Sequence, residues 1–327
     1  MEKYLGVPMN LSAPTSQQWK QKLTTIPATL SSWTARRLSM FSRSYVCNAV
    51  SYPAILYVAQ VVCCGAGTVN AIHRHWATFI WQSRMEKMRR SNLFWSLESG
   101  GFGLVNVTLK LYVQRFLFFR DQRDPIFTTA FHCLGYGNLQ QWMVSTTTRT
   151  TTSTHLSYYK EVADSIRFFL VHFSWEYLLT VKRKTLYWDT VSSVLPVPLY
   201  RQCVNAPNSS DVFKQLRKLP VPTSSKDFFV RFHVEVLPVK VWLDKKGFFV
   251  PWSLNCALCG ATETLHHVFV ECSNAYRFWA ELKCLFTVEF EIDWNVFKWL
   301  CLESEEHSPT VRRVLVVLGL HAIWRSR

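Results

Sequence analysis

Four residues restrict what this chain can fold into more than any other feature. Cys256 and Cys259 are separated by two residues, His267 follows after seven more, and Cys272 follows after another four. Two thiolates on a tight turn, an imidazole on a short helix and a third thiolate one turn later can close a tetrahedral shell around zinc. A closed shell leaves no position for water, so the spacing predicts one structural zinc ion that is not catalytic.

Two neighbouring residues bear on this zinc prediction. Gly260 follows the second cysteine, where a knuckle turn needs a residue that tolerates positive φ while backbone amides point at sulfur. His266 adjoins His267 and competes for the third ligand position, and we predict His267. The alternative is a group of ordinary buried cysteines with a coincidental histidine. The remaining cysteines have no companions at ligand spacing and are expected in the core: Cys47, Cys63, Cys64, Cys133, Cys203, Cys284 and Cys301.

The cysteine content also bears on the compartment. Ten cysteines would suit a secreted disulfide protein, but the first residues, MEKYLGVPMN, lack the basic region and apolar run of a signal peptide. A reducing compartment is therefore expected, which makes the protein intracellular, nuclear or cytoplasmic, and not secreted.

The charge is strongly positive and unevenly distributed. Lys and Arg number 37 against 22 Asp and Glu, a net charge of +15 with a pI near 9.5. Residues 1–125 hold 15 basic and 5 acidic residues, residues 126–255 hold 15 and 8, and residues 256–327 hold 7 and 9. With 14 Trp, this composition favours a nucleic-acid partner, although an aromatic core beneath a solvated basic surface is the alternative.

A long uncharged stretch raises the question of a membrane span. No Asp, Glu, Lys or Arg occurs between Ser44 and His73, which exceeds the roughly 20 residues that cross a bilayer. Polar residues, Pro53 and two glycines interrupt the stretch, and its most apolar part, 54–64, is half a span. We therefore predict a buried helix and no membrane partner.

Apolar spacing predicts a mainly α-helical chain. A helix is expected over 15–38, kinked or divided by Pro27, then a second helix towards Tyr52 and a third beginning at Pro53. Thr68 is the expected N-cap of the next helix. Further helices are expected over 108–122 and 158–181, whereas 228–243 could form strands or a helix. The Thr-rich residues 143–155 are expected to form a linker, and Gly100–Gly103 a tight turn.

Several short motifs together resemble the carboxy-terminal part of LINE-type (non-LTR) retrotransposon reverse transcriptases. The motifs, in chain order, are Tyr4-Leu5-Gly6-Val7-Pro8, Ser32-Trp33, Arg37-Leu38-Ser39, Arg43, Pro53, Tyr57, Phe79-Ile80-Trp81 and Gly100-Gly101-Phe102-Gly103-Leu104. The Cys-Cys-His-Cys pattern, with Glu263-Thr264 between its halves and Trp279 beyond it, is similar to the zinc-binding module that ends many of those polyproteins. The resemblance covers residues 4 to about 125 and 254 to about 280.

The resemblance implies an architecture and a partner. Residues 1–125 would form the end of the palm and a helical thumb-like region, 126–250 a linker and a helical middle region, and 251–327 the zinc knuckle and C-terminal helices. The thumb would hold RNA or an RNA/DNA hybrid, and the rest of a reverse transcriptase is a possible partner. The expected nucleic-acid-binding residues are Lys20, Lys22, Arg36, Arg37, Arg43, Lys87, Arg89 and Arg90. Base-stacking candidates in the knuckle are Phe269, Tyr276 and Trp279, although Phe and Trp at such positions more often form the knuckle's own small core.

The resemblance also implies that the chain is not an enzyme. Reverse transcriptases hold two metal ions with an Asp and an Asp-Asp pair, and this sequence contains no Asp-Asp pair. It begins at the element that follows the catalytic hairpin, so we expect a C-terminal fragment without a polymerase site. A complete enzyme is the alternative only if carboxylates such as Asp121, Asp124 or Asp164 converge on a metal. A rival from another class is a zinc-clamped protein-interaction module without nucleic-acid binding.

Overall fold

The structure, a computed structural model, describes residues 3–4, 7–8, 15–60, 62–131, 154–198, 200, 212–251, 253–301 and 309–327. Helices dominate this part of the chain, which confirms the predicted mainly α fold. The short strands β1 (Lys3–Tyr4) and β2 (Val7–Pro8) pair antiparallel. Within the same residues, no helix is both long and apolar enough to cross a membrane.

The described helices are, in chain order, α1 Thr15–Thr34, α2 Met40–Val46, α3 Tyr52–Ala59, α4 Ala66–Trp81, α5 Ser91–Phe94, α6 Val107–Asp121, α7 Pro125–Phe131, α8 Thr154–His172, α9 Trp175–Thr180, α10 Arg183–Val194, α11 Val212–Lys218, α12 Thr223–His233, α13 Lys240–Lys245, α14 Ser273–Phe286, α15 Trp294–Trp299 and α16 Pro309–Arg325. Two π-helical turns, Cys47–Ser51 and His267–Glu271, supplement them. The region left open between strand and helix, 228–243, is helical in α12 and α13.

The first helix shows how buried spacing overrides a local breaker. Trp19, Ile26 and Leu30 are buried on one face, and α1 packs this face against α4. Pro27 was expected to kink or divide the helix; it does not divide it, because it lies inside one continuous helix that ends at Thr34. The buried stripe therefore holds the helix together across the residue that lacks an N–H donor.

The following helices agree in part with the sequence prediction. Pro53 occupies the first turn of α3, where its missing N–H is not needed, as predicted. The predicted N-cap at Thr68 is wrong, because α4 already begins at Ala66 and Gly65 is its N-cap. The observed N-cap thus lies three residues before the predicted one.

Contacts between helices divide the chain into two compact units. One unit comprises the described residues of Met1–Arg36, Ser44–Arg84 and Leu104–Pro196. At its centre α6 packs against α8 and α10. The N-terminus of α6 is held by polar contacts, as the backbone N–H of Val107 donates to His73 Nε2 at 3.0 Å and that of Asn106 donates to the Tyr187 hydroxyl at 2.9 Å.

The second unit comprises the described residues of Arg37–Arg43, Met85–Gly103 and Val197–Arg327. Its core surrounds α12, which contacts α11, α15 and α16. Phe232 of α12 meets the ring of Phe269 edge-on, with centroids 5.0 Å apart, and Phe228 stacks on His321 at the same distance.

These units differ from the predicted division into 1–125, 126–250 and 251–327. Residues 37–43 and 85–103 belong with the C-terminal unit because Phe41 and Phe102 pack against Phe213 of α11, with ring centroids 5.7 and 5.6 Å apart. These contacts join residues that are more than a hundred positions apart in the sequence, so the local spacing of apolar residues cannot predict them. The predicted linker 143–155 lies almost wholly outside the described residues.

The packing of α14 against α16 leads to a first prediction. A methyl group at Gly319 would lie 2.6 Å from Trp279 Cζ3, so Gly319→Ala should lower the free energy of unfolding by about 1–3 kcal/mol despite the better helix propensity of Ala. Gly67→Ala is the matched control in α4, since its added methyl group meets nothing within 4 Å. Thermal unfolding followed by circular dichroism measures both variants. A Gly319→Ala protein as stable as the Gly67→Ala protein would contradict this account of the packing.

Candidate metal centre

The first two cysteines of the cluster lie on a tight turn. Asn255 and Thr262 form an antiparallel bridge, and the backbone N–H of Cys256 donates to the carbonyl of Ala261 at 2.6 Å. Gly260 closes the turn with its N–H donating to the Cys256 carbonyl at 2.9 Å, and its φ is +77°. The prediction that Gly260 supplies positive φ is confirmed. The turn brings Cys256 and Cys259 to one side of the knuckle.

A π-helical turn positions the other two members of the cluster. The N–H of His267 donates to Thr264 Oγ1 at 3.0 Å, which begins the turn, and the N–H of Cys272 donates to the His267 carbonyl at 2.8 Å, which ends it. This wider turn places His267 and Cys272, five residues apart, on the same side of the backbone.

The four predicted ligands converge. One potential ligand atom from each of Cys256, Cys259, His267 and Cys272 lies within 4.8 Å of the others. Cys259 Sγ lies 3.1 Å from His267 Nε2 and 4.0 Å from Cys272 Sγ. Tetrahedral zinc with sulfur at its usual distance would separate two sulfurs by about 3.8 Å. The separation of 4.0 Å between the sulfurs of Cys259 and Cys272 is close to that value, and the group could hold a metal ion.

The structure also distinguishes the two adjacent histidines. The side chain of His267 is 5% exposed, with Nε2 toward the sulfurs and Nδ1 3.8 Å from a Glu271 carboxylate oxygen. The side chain of His266 is 43% exposed, and its Nδ1 lies 3.0 Å from Glu271. His267 is therefore the member of the cluster, as predicted. The carboxylate beyond its second nitrogen resembles the arrangement that orients metal-binding histidines.

The surroundings of Cys256 favour its metal-binding form. Burial acts to raise the pKa of this thiol, but hydrogen bonds from the Leu258 backbone and from His267 outweigh it and lower the pKa to about 6. Arg327 adds a positive charge, with Nη2 3.6 Å from Cys256 Sγ and 2.8 Å from a Glu263 carboxylate oxygen. These contacts favour the thiolate of Cys256, which is the form that binds metals.

The knuckle uses most of its aromatic residues internally. Phe269 and Trp279 are fully buried, and Trp279 Nε1 donates to the Phe269 carbonyl at 2.9 Å. Phe269 and Trp279 are therefore not base-stacking residues and have the core role that the sequence analysis favoured for Phe and Trp. Tyr276 on α14 is 63% exposed and is the one candidate of the three whose ring is accessible.

The predicted nucleic-acid-binding residues differ in exposure. Lys20, Arg36, Arg37 and Arg89 are exposed, while Lys22, Lys87 and Arg90 are partly buried. The Arg36 guanidinium lies over the ring of Trp33 at 4.5 Å, and Arg90 Nε donates to Glu86 at 3.0 Å. Exposed cations without a carboxylate partner remain available to a phosphate. Because Arg90 is already paired with Glu86, less of its positive charge is available to a phosphate.

Arg43 does not fit the predicted role. Its side chain is 1% exposed and forms an ion pair with Asp227 of α12, whose other carboxylate oxygen accepts from the Met40 N–H at 2.7 Å. Burial raises the pKa of Asp227 more than the nearby Arg43 charge lowers it. Arg43 is thus a buried structural cation within its unit and does not present its guanidinium to a phosphate.

Two further features escaped the sequence analysis. Between Glu2 and Glu86 the chain contains no Asp or Glu, a signal that was readable in the sequence. The second feature is Arg231, which lies one helical turn after Asp227 on α12. Burial is the largest cause of the lowered pKa of Arg43, and the positive charge of Arg231 lowers this pKa further. Its proximity to Arg43 depends on the fold, so no sequence pattern could have found it.

Other sequence-derived candidates have local roles. Asp121 is bonded to Arg120, and Asp164 is paired with Arg167. Asp124 accepts from the backbone N–H of Ile126. Across the ranges the structure describes, the Cys-Cys-His-Cys group is the one cluster found that could hold a metal ion.

The remaining cysteines differ in burial. Cys47 is buried, as predicted, whereas Cys63, Cys64 and Cys301 are half-buried, and Cys284 is exposed on α14 rather than in the core. Cys133 and Cys203 lie outside the described residues.

Comparison with known protein families found no match, and comparison with curated proteins found none either. The resemblance to LINE-type reverse transcriptases therefore rests on the short motifs alone.

The contrast between the two histidines gives a second prediction. His267→Ala should abolish binding of the metal ion and lower the free energy of unfolding by about 4 kcal/mol or more, because loss of a structural metal is among the largest single-residue effects. His266→Ala is the matched control and should retain the metal. Metal content is measured on protein purified without chelator. Equal metal content in both variants would disprove the assigned ligand.

The buried ion pair gives a third prediction. Asp227→Asn should lower the free energy of unfolding by about 3 kcal/mol or more, because it leaves the Arg43 charge buried without compensation. Glu289→Gln removes one carboxylate from the exposed pair with Lys283 and should change stability by less than about 1 kcal/mol. Urea denaturation measures the free energy of unfolding of both variants. A similar loss of stability in the two would show that the buried pair of Arg43 and Asp227 contributes no more than an exposed pair.

Proposed function

We propose that this chain binds RNA or an RNA/DNA hybrid by contacts to phosphates, and that it holds one structural zinc ion in its knuckle. The observation that carries the first part is the acid-free stretch between Glu2 and Glu86, on which Lys20, Arg36 and Arg37 are exposed. A phosphate that contacts any one of these side chains meets no carboxylate from the same stretch of chain, so this stretch attracts it without repelling it.

The donor set supports zinc as the metal. Three thiolates and one imidazole are soft to intermediate ligands, and tetrahedral sites of this composition are typical of structural zinc. Cys256, Cys259, His267 and Cys272 would fill all four positions and leave none for a reacting water. When bound, the ion would supply cross-linking of the turn to the following helix, which the small knuckle core needs for stability.

The proposed binding is electrostatic and largely independent of base sequence. Lysine and arginine side chains displace counterions from the phosphate backbone, so affinity should fall steeply as salt rises. The guanidinium of Arg36 is held over Trp33, which limits its freedom in the unbound state. The residues proposed to contact phosphate are Lys20, Lys22, Arg36, Arg37, Lys87, Arg89 and Arg90.

The motif resemblance suggests the larger protein in which this binding would take place. In LINE-type reverse transcriptases the corresponding region is the thumb and the terminal zinc module, so the rest of a reverse transcriptase is the proposed protein partner. Under this proposal the chain contributes nucleic-acid binding and no polymerase chemistry of its own.

The rival function, a zinc-clamped protein-interaction module, is favoured by one observation. Residues 256–327 carry 7 basic and 9 acidic residues, so the knuckle region lacks the charge to bind nucleic acid by itself. Exposed apolar side chains on α14, namely Tyr276, Leu285 and Phe286, would be its docking residues.

A salt titration with matched variants tests the nucleic-acid proposal. Binding of a 20-nucleotide RNA and of a hybrid duplex is measured by filter retention between roughly 50 and 200 mM salt, the range over which phosphate contacts weaken markedly. The double variant Arg36→Gln, Arg37→Gln should reduce affinity about tenfold and lower the slope of the salt plot by about 2.

The control carries the same change of charge elsewhere. Lys245→Gln, Lys246→Gln alters two exposed neighbouring cations outside the proposed set and should change affinity by less than about twofold. An equal loss of affinity in both double variants would show that only the total charge of the protein matters and not the positions of Arg36 and Arg37. Absence of binding to either nucleic acid at the lowest salt would leave the interaction module as the better explanation.

A further inference from the structure

The end of α16 lies against both turns that carry the candidate metal cluster. Trp324, in the last turn of α16, stacks on Phe269 of the π-helical turn, with ring centroids 6.3 Å apart. Three residues later, Arg327 Nη2 lies 3.6 Å from Cys256 Sγ, on the turn that carries the first two cysteines. One short segment of chain therefore contacts the turn that carries His267 and the turn that carries Cys256.

The packing of α16 fixes the position of this segment. Leu320 and Ile323 are buried, and α16 packs against α12 and α14. The backbone N–H of Ser326 donates to the Ala322 carbonyl at 3.0 Å, and Ser326 Oγ donates to the Ile323 carbonyl at 2.9 Å. These bonds continue the helical turn up to the residue before Arg327, so the side chain of Arg327 starts from a held backbone.

A carboxylate holds the guanidinium of Arg327 beside the sulfur. Arg327 Nη2 donates to Glu263 Oε2 at 2.8 Å, and the two side chains are 16% and 11% exposed. Glu263 Oε1 accepts from the backbone N–H of Lys240 at 3.2 Å, and the backbone N–H of Glu263 donates to the Leu254 carbonyl at 2.8 Å. Glu263 is thus tied to α13 and to the knuckle turn, and it fixes the direction in which Arg327 points.

The charges around Cys256 determine what Arg327 can contribute. Because Glu263 shares the positive charge of Arg327, the guanidinium acts on Cys256 chiefly as a hydrogen-bond donor. Nη2 carries two N–H groups, enough for one bond to the carboxylate and one to the sulfur. Three thiolates around a divalent ion leave one excess negative charge on the ligands. An N–H group directed at a coordinated sulfur stabilises that charge.

We propose that Arg327 is a positioning residue of the metal site, whose guanidinium, held by Glu263, donates a hydrogen bond to the Cys256 thiolate and thereby tightens metal binding. The inference rests on the proposed zinc site and assigns to it a residue that ligand spacing could not reveal. In this role Arg327 contacts a ligand and not the ion.

Zinc affinity, measured on the full chain by competition with a chromophoric chelator, tests the assignment. Arg327→Met keeps a long apolar side chain without an N–H donor and should weaken zinc binding about tenfold, as expected for a residue that orients a metal ligand. Arg327→Lys retains a charged donor and should recover part of the loss. Arg325→Met is the matched control, because it changes an exposed arginine in the last turn of the same helix and should leave the affinity unchanged.

Cobalt(II) in place of zinc separates a hydrogen bond to sulfur from a general effect on stability. A donor to a coordinated thiolate lowers the energy of its lone pairs, so the thiolate-to-cobalt charge-transfer band should shift to longer wavelength in Arg327→Met and not in Arg325→Met. The melting temperature of the metal-free protein is measured alongside. A lower melting temperature with unchanged zinc affinity and an unchanged cobalt spectrum would make Arg327 a purely structural residue and overturn the inference.

A double-mutant cycle tests the part played by Glu263. Glu263→Gln removes the charge that holds Arg327 while it keeps the size of the side chain, and it should also weaken zinc binding. Arg327→Met should then have a smaller effect in the Glu263→Gln protein than in the unchanged chain, because both residues act through one contact to sulfur. Fully additive effects would contradict the assignment.

The same measurements keep this inference apart from the zinc proposal. An unchanged chain that binds neither zinc nor cobalt would refute the zinc site, and the role of Arg327 with it. Zinc binding by Arg327→Met as tight as by the unchanged chain would refute the role of Arg327 alone.

Discussion

The need to compensate buried guanidinium charge determines how distant segments are tied together within each unit. Arg115 joins α6 to the end of α3 and to Glu161 of α8, and Arg43 joins residues 37–43 to Asp227 of α12. Because a buried cation without a partner costs several kcal/mol, these segments cannot separate without a large penalty. In the second unit, Phe41 and Phe102 also pack against α11, and these apolar contacts add to the connection made by the ion pair of Arg43.

The knuckle that carries the candidate metal site is continuous with the core of its unit. Phe269, on the π-helical turn that carries His267, packs against Phe228 and Phe232 of α12. Trp279 of α14 packs on Phe297 with ring centroids 4.6 Å apart. The four cluster residues are thus held by turns whose other side is buried, so a metal ion bound there would be linked to the stability of the surrounding helices.

The positive charge of the chain separates into two kinds. Arg43 and Arg115 are neutralised inside the protein, whereas Arg36, Arg37 and Arg183 are exposed. Only the exposed arginines can attract a polyanion or hold a phosphate, so the net charge of +15 is larger than the positive charge available for binding.

The sequence by itself determined the helical class, the positive φ of Gly260 and the three cysteines and adjacent histidines of the candidate metal cluster, because these depend on periodicity, turn chemistry and ligand spacing within about 20 residues. The tertiary structure decided which adjacent histidine faces the sulfurs, the burial of Arg43 and the core role of Phe269 and Trp279. It also brought Arg327 to the sulfur of Cys256. These features depend on which surfaces meet after the chain folds, and local spacing carries no information about contacts between distant segments.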